Sequence, residues 1–380
     1  MKKLIIIVTV PVVLETWLKG QAKFLSNYYE VEIITSSSNT IKSIEKYENV
    51  SIKIMDFNRQ INFFKDIKVL TQLYIYFTRN RPFMVYTLTP KAGLLGMLSS
   101  WMARVPHRVH NVVGLPHLEA TGKRKFILSM TEKITYFFSS KIYCNSINLK
   151  KVVANMTKKP VDVIGNGSVN GVDTGFFKDT LSKERKEDIL NKLNFNIDDF
   201  IITFVGRIVK DKGINELISV FSTLSLTYPS IKLLLIGDYK NESDPISYEA
   251  QKTIQTNKSI TYLEFQEDIR EYLSISTLFV LPSYREGLPN VLIEAGSYGI
   301  PLIATNINGC NEIIKHNENG ILVNKKDEKN LLDALEKFIT DKVYYASIKN
   351  NVRESIVNRY DQKYFLNALL NEFKNIEKSK

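Results

Sequence analysis

Residues 282–294 read PSYREGLPNVLIE, and the fold can be worked outward from them. Just ahead, Leu278 to Leu281 is a short apolar run with the look of a buried strand. Behind Pro289 the chain turns apolar again, interrupted by one carboxylate, Glu294. The unit is strand, Gly/Pro turn, helix. Pro289 suits the first turn of a helix, where a missing N–H removes no bond. The unbonded N–H groups of Asn290 and Val291 then point back into the turn, and such a helix N-terminus binds anions, phosphate above all. Glu286 falls on the loop facing that anion. Glu294 lies about one and a half turns into the helix, at roughly 1.5 Å per residue. Two glutamates at this separation are, taken alone, ordinary surface charges. One beside a phosphate and one set back from it fits a nucleotide-sugar pocket, in which the set-back carboxylate accepts hydrogen bonds from a ribose diol.

The surrounding chain alternates apolar strand and amphipathic helix twice over. In the first half the strands read LIIIVTV (4–10), VEIITS (31–36), SIKIMDF (51–57), MVYTLT (84–89), RVHNVV (108–113), KIYCNS (141–146) and VDVIGN (161–166). Helices are expected at 14–27, 63–79, 91–103 and 123–139. In the second half the strands read IITFVG (201–206), KLLLIG (232–237), ITYLEF (260–265), LFVLPS (278–283) and PLIATN (301–306). Short runs bounded by turn residues, with helices between, mean parallel sheets wound on both faces. The fold class is α/β, with two Rossmann-like doubly wound domains. The expected division is a first domain at 1–168, a linker at 169–180 in the turn-rich stretch that runs from Gly165 to Asp179, a second domain at 181–358 and a last helix at 359–380. Doubly wound sheets bind ligands beyond the carboxyl ends of their strands. Arg207 follows IITFVG and Glu286 follows LFVLPS, so both collect on one rim.

With these residues in place the chain resembles the retaining GT-B glycosyltransferases of the Glu-x7-Glu type, family 4-like, through PS-x-x-EG-x-P-x-x-x-x-E-A-x-x-x-G-x-P. The likeness continues in VIGNGSVNGVDTGFF (163–177), GRIVKDKGINELI (206–218), LLLIGD (233–238) and ATNINGCNEIIKHNENGILV (304–323). The first half is similar more weakly, in LKGQAKFLSNYYEVEIITSS (18–37) and HRVHNVVGLPHLEATGKRK (107–125), which look like the subgroup that builds bacterial surface polysaccharides, O-antigen or capsule. The resemblance implies two domains facing a central cleft, with the last helix crossing back onto the first. It implies that Arg207 and Lys212 meet the donor diphosphate, that Glu294 grips the ribose, that Glu286 lies near the donor sugar, and that Gly287, Leu288, Asn290 and Val291 complete the donor loop. Glu286, Arg207 and Lys212 are the candidate catalytic residues. Glycine at 287 would let backbone approach the sugar closely.

Departures from the family pattern are visible too. Where it often has His-Gly, this chain has Val113-Gly114; His110 lies upstream and His117 in the following loop. A common glycine is Glu264 here, and the first turn, TVPVVLETW, lacks a Gly-rich phosphate loop. No Asp-x-Asp motif occurs, and His107 and His110, three apart on a strand, face opposite sides. Breaking the anomeric bond loads negative charge onto the leaving diphosphate, and preorganised cations and amide dipoles are the main means of stabilising it. Arg207, Lys212 and the helix end supply these, so no metal and no cofactor are expected beyond the UDP-sugar donor substrate.

The chain has 380 residues, 44% hydrophobic and 24% charged, as in soluble globular proteins. Cys144 and Cys310 lie far apart, fit reduced core thiols and suit the cytoplasm. MKKLIIIVTVPVVLE mimics a signal peptide but is short, broken by Pro11 and without a cleavage site, so it reads as the first strand. Residues 1–170 carry 24 Lys+Arg against 10 Asp+Glu, a net of +14; the remainder is at −3. Such asymmetry points the first half at something anionic. No nucleic-acid signature appears. Arg104, Arg108, Lys123, Arg124 and Lys125 bracket an apolar stretch with Trp101, Leu115 and Phe126, a mix suited to a lipid diphosphate at an anionic membrane surface. The acceptor candidates are therefore Arg108, Lys123, Arg124, Lys125 and His117. The expected protein is peripheral on the inner face of the plasma membrane and moves a hexose or N-acetylhexosamine from a UDP-sugar to an undecaprenyl-diphosphate-linked glycan. A UDP-sugar epimerase and a non-catalytic nucleotide-sugar-binding subunit are the alternatives.

Overall fold

Thirteen strands, every pairing parallel, form two sheets among the residues that the computed structural model describes, which are 1–58, 62–115, 120–239 and 244–378. The chain divides into one unit made of Met1–Gly171 with Gln362–Lys380 and another made of Val172–Asp361.

In the first unit β1 (Lys3–Ile7), β2 (Glu30–Thr35), β3 (Ser51–Ile54), β4 (Met84–Thr87), β5 (His107–Val112), β6 (Lys141–Cys144) and β7 (Val161–Val163) lie in the order β3-β2-β1-β4-β5-β6-β7. Leu4 to Ile7 and Met84 to Thr87 are wholly buried, because helices cover both faces of a parallel sheet and each strand then reads as a continuous apolar run. The helices Phe63–Asn80, Pro90–Met102 and Gly122–Phe138 lie side by side, the middle one between the other two. The first of them starts on Asn62, whose side chain accepts from the Lys65 N–H at 3.1 Å.

One expectation changes here. The helix expected over 14–27 is two short ones, Val12–Thr16 and Gln21–Leu25. Gly20 separates them with φ 82, and Glu48 takes its N–H at 2.6 Å. His110 is enclosed in the core: its Nδ1 lies 2.8 Å from the Thr87 hydroxyl, and a Cβ on Gly93 would come within 2.5 Å of its ring. Burial pushes its pKa down to about 4, so it stays neutral and packs.

The helix Gln362–Lys378 completes this unit's core. Phe365, Leu369, Leu370, Phe373 and Ile376 join Leu4, Ile6, Tyr29, Tyr86 and Tyr143. The Tyr143 hydroxyl donates to Glu372 at 2.6 Å, and Lys2 pairs with Glu377 at 3.1 Å. The break before this helix falls at Asp361, not at 359: Arg359 and Tyr360 stay with the second unit, donating to the carbonyls of Glu312 and Ile313. The stretch expected as linker is ordered on either side of Gly171. Gln21 donates to the Val169 carbonyl and Asn170 side chain in the first unit, and Val172 donates to the Tyr360 carbonyl in the second.

The second unit's sheet has the order β10-β9-β8-β11-β12-β13, from β8 (Phe200–Val205), β9 (Ile231–Ile236), β10 (Ile260–Leu263), β11 (Leu278–Leu281), β12 (Leu302–Thr305) and β13 (Gly320–Val323). The last of these is one strand more than the sequence pattern marks. The order reverses between β8 and β11, so the connections leaving their carboxyl ends run in opposite directions and open a crevice there.

Candidate active site

The crevice is built from three loops pressed together backbone to backbone. After β8 comes the short 3-10 turn Lys210–Lys212, closed by Gly213 at φ 71; a Cβ at Gly213 would lie 2.1 Å from the Pro282 carbonyl oxygen. After β12, Gly309 has φ 79, and a Cβ there would lie 2.0 Å from the Gly287 carbonyl. Only glycine fits either place. Gly287 itself is not in the left-handed region; its carbonyl is the one that Gly309 meets. Asn308 clamps the same turn, its Nδ2 donating to the carbonyls of Glu286 and Gly287 at 3.4 and 3.3 Å; its Oδ1 is buried and unpartnered.

Charged contacts fasten the first loop to the second. The Tyr284 N–H donates to the Asp211 carbonyl at 2.8 Å, and Lys212 Nζ meets Glu286 Oε1 at 2.6 Å. Arg285 places Nε and Nη2 on Asp211 Oδ2 at 2.8 and 2.6 Å. Arg207, half exposed, has Nη2 at 3.8 Å from that same oxygen. Lys210 is exposed on the far side of the turn. Burial is the main cause pushing the Asp211 carboxyl up, with Arg207 and Lys212 opposing it.

The helix Asn290–Ser297 opens at the crevice. Pro289 is its cap residue, at φ −75 and ψ 106, and not part of its first turn as the sequence suggests. Its side chain makes no capping bond, and the N–H groups of Asn290 and Val291 have no partner among the described residues. Leu288 packs on the core below. Glu294 makes no hydrogen bond or ion pair among the described residues, and burial pushes its carboxyl up to about 7. The crevice thus holds cations, free amides at a helix end and a carboxylate awaiting a donor. An anion with a polyhydroxylated group attached suits that set.

The raised Glu294 carboxyl carries a pH signature. Lifted above its unfolded value, it favours the folded apo chain below pH about 4.5, and this contribution is lost as pH rises through about 7. A ligand whose hydroxyls donate to Glu294 prefers the ionised form. Nucleotide affinity should therefore rise between pH 6 and 8 and go flat in Glu294→Gln; calorimetry across that range checks both.

Beside the crevice, at the carboxyl ends of β9 and β10, Asp238, Tyr239, Tyr262 and Glu264 help line a cavity of about 270 Å³. The two tyrosine rings stand edge to face at 5.7 Å, and the Tyr239 hydroxyl is buried without a partner. Aromatic walls with carboxylate acceptors suit a flat ring bearing N–H donors.

The basic residues expected at an acceptor do not gather in one place in the first unit. Lys123, Arg124 and Lys125 are exposed at the start of the Gly122–Phe138 helix. Arg108 sits at the amino end of β5, the edge opposite to that used by ligands. Its guanidinium donates to the carbonyls of Phe138 at 2.8 Å and Val105 at 2.7 Å, so it ties strand to helix and is withdrawn as an acceptor residue. His117 lies outside the described residues. Three residues escaped the sequence reading: Asp211, Arg285 and Asn308. Arg285 could have been noticed as the cation next to Glu286, whereas Asp211 and Asn308 show their places only once the loops are folded together.

Comparison with known proteins agrees with this architecture. The family model described as "Glycosyl transferases group 1" matches residues 185–355. A capsular polysaccharide biosynthesis glycosyltransferase of Staphylococcus aureus, CapM, is 32% identical over 363 residues, covering 94% of this chain and 93% of that protein. A UDP-Gal:alpha-D-GlcNAc-diphosphoundecaprenol alpha-1,3-galactosyltransferase of Escherichia coli is 30% identical, covering 80% of this chain and 78% of its own length. Among solved structures, Anabaena HepE in complex with UDP superposes with a TM-score of 0.81 at 19% identity, over 99% of this chain and 100% of that one.

Proposed function

The chain belongs to the group 1 glycosyl transferases and has their GT-B fold, and from that membership we propose that it transfers a hexose or N-acetylhexosamine from a UDP-sugar, with retention, to an undecaprenyl-diphosphate-linked glycan in the assembly of a capsule or O-antigen. The observation that carries this reading is the meeting of Arg207, Lys212 and the free amides of Asn290 and Val291 at the strand-order reversal of the second unit. As the anomeric C–O bond breaks, the departing β-phosphate gains charge and the sugar becomes oxocarbenium-like. Arg207 offers a planar fork to phosphate oxygens and Lys212 a mobile point charge. Both stand in place before the charge develops, which is what makes such groups effective. Glu294 accepts from the ribose hydroxyls. Glu286, held by Lys212, faces the sugar and supports the developing cation. The donor and acceptor named by the Escherichia coli relative support the UDP and lipid-diphosphate assignments.

The test is nucleotide release from a panel of UDP-, GDP- and TDP-sugars, with and without lipid-linked acceptor, in buffer and in excess chelator. UDP release that acceptor raises well above slow donor hydrolysis, that persists in chelator and that gives a product of unchanged anomeric configuration by NMR is the expected result. Interconversion of UDP-sugars without acceptor would mean an epimerase; UDP binding with no release from any donor would mean a binding subunit.

A membrane-facing acceptor is supported by the first unit. It carries 28 Lys+Arg against 12 Asp+Glu, whereas the second carries 23 against 28. Phe63 and Phe64 are 70% and 84% exposed at the start of their helix, and Phe126, Ile127 and Met130 are exposed near the start of another. Helices that follow β3 and β5 begin at the carboxyl edge of the sheet, where ligands are taken. Lys65, Lys68, Lys123, Arg124 and Lys125 stand among these side chains. No described helix is long and apolar enough to cross a membrane. We expect co-sedimentation with anionic vesicles that weakens as salt shortens the Debye length from about 10 Å at 0.1 M to about 3 Å at 1 M. Charge reversal at Lys123, Arg124 and Lys125 together should raise the apparent KM for lipid acceptor and leave donor hydrolysis unchanged.

A further inference from the structure

We propose that Arg285 is a third cation of the diphosphate subsite, docked on Asp211 and transferring its guanidinium to the donor's phosphate oxygens when the nucleotide-sugar binds. The proposal rests on the reading that this crevice takes a nucleotide-sugar. Three observations carry it. Arg285 and Arg207 converge on a single atom, Asp211 Oδ2, from opposite loops, at 2.6 Å and 3.8 Å; whatever anion Arg207 reaches lies within a side-chain rotation of Arg285. On the Asp211 side the pairing is lopsided: Arg285 Nε and Nη2 both donate to Oδ2, while Oδ1 is buried and unpartnered. A side-on pairing made for permanence would use both oxygens. Arg285 is also one residue from Glu286, whose carboxylate already engages Lys212, so this short strip delivers a cation and an anion to the same opening.

Charge count leads the same way. Arg207, Lys212 and Arg285 against Asp211 and Glu286 leave this group of five with one net positive charge. A diphosphate adds roughly two negative charges, and Arg207 and Lys212 alone are already shared with Asp211 and Glu286. Moving Arg285 from Asp211 to phosphate replaces charge-assisted bonds to a carboxylate with charge-assisted bonds to the ligand, so the step depends on the ligand being present. The backbone bond from Tyr284 N–H to the Asp211 carbonyl keeps the two loops together while the side chain moves.

A merely structural tie predicts something different, and affinity for UDP against uridine separates the two. In Arg285→Ala, UDP affinity should fall about 10- to 100-fold, the range for a lost charge-assisted hydrogen bond, with uridine affinity by NMR titration unchanged. Arg285→Lys, which keeps the charge without the fork, should recover part of the loss; it also serves as the readout should Arg285→Ala not fold. Asp211→Asn, which loosens the docking place, should leave UDP affinity equal or higher. Equal losses for UDP and uridine, or no loss of UDP affinity in a folded Arg285→Ala, would overturn the proposal. Failure of the unaltered protein to bind UDP, GDP or TDP would overturn the nucleotide-sugar reading itself, and Arg285's role with it.

Discussion

Lys212→Ala and Arg207→Ala should each lower turnover about 100- to 1,000-fold, the range for removing one preorganised charge stabiliser. The two need not fall alike. Lys212 is largely covered and holds Glu286 at 2.6 Å, so its removal deletes a cation and leaves a poorly solvated carboxylate at the proposed sugar site. Arg207 is half exposed, and Arg285 stands over the same Asp211 oxygen, so part of its work can be taken up next door. We therefore expect Lys212→Ala at the severe end and Arg207→Ala at the mild end. The double variant Arg207→Ala/Arg285→Ala should exceed the sum of the singles in log turnover, as neighbours sharing a partner do. Folding should survive, because neither side chain belongs to the core. Wild-type-like turnover in both single variants would remove the diphosphate assignment. Steady-state kinetics at saturating donor, with thermal melts as the folding control, decides.

Glu294→Ala and Glu286→Gln should separate binding from chemistry. Glu294 has no partner among the described residues, and the proposed contact with a nucleotide's ribose would supply one, so its loss should weaken UDP by about 1.5–3 kcal/mol, the worth of a hydrogen bond to a charged group. UDP lacks the transferred sugar that Glu286 is proposed to touch. Glu286→Gln should accordingly lower turnover far more than it lowers UDP affinity, and by releasing Lys212 it should leave UDP binding equal or slightly tighter. Calorimetry with UDP on both variants is the measurement. UDP binding lost in Glu286→Gln and kept in Glu294→Ala would reverse the two roles.

Most of the sheet order is legible in the chain because strands buried on both faces have to be apolar throughout, and IITFV, KLLLI and LFVL announce themselves. The gaps have local causes. β13 opens on a glycine and directly follows the polar stretch HNEN, where Asn317 has φ 64, so its short apolar run reads as the end of a turn. The break in the expected 14–27 helix depends on one left-handed glycine whose N–H is claimed by Glu48, a residue far along the chain. At the site, Arg207, Lys212, Glu286 and Glu294 are legible because their loops are fixed by strand ends and a helix start. Their pairings are not, since the Lys212–Glu286 and Asp211–Arg285 contacts exist only when the loops after β8 and β11 meet. Arg108 misleads for the opposite reason. A basic residue beside apolar ones reads as a surface charge, and nothing local says that two carbonyls of its own domain are waiting for it.

The helix Gln362–Lys378 has a consequence for how the chain is made. Five of its buried side chains belong to the first unit's core, yet the ribosome delivers them after the whole of the second unit. During synthesis, residues 1–171 must wait with Tyr86 and Tyr143 uncovered on one face, while 172–361, whose own ends pair through Val172 and Asp361, can close without help. The nascent chain is thus a late-finishing domain with an early-finishing one spliced into it. A message truncated before codon 362 would release a folded donor-type module attached to an aggregation-prone stub, whereas the segment 172–361 expressed alone should be a tractable fragment for nucleotide titrations.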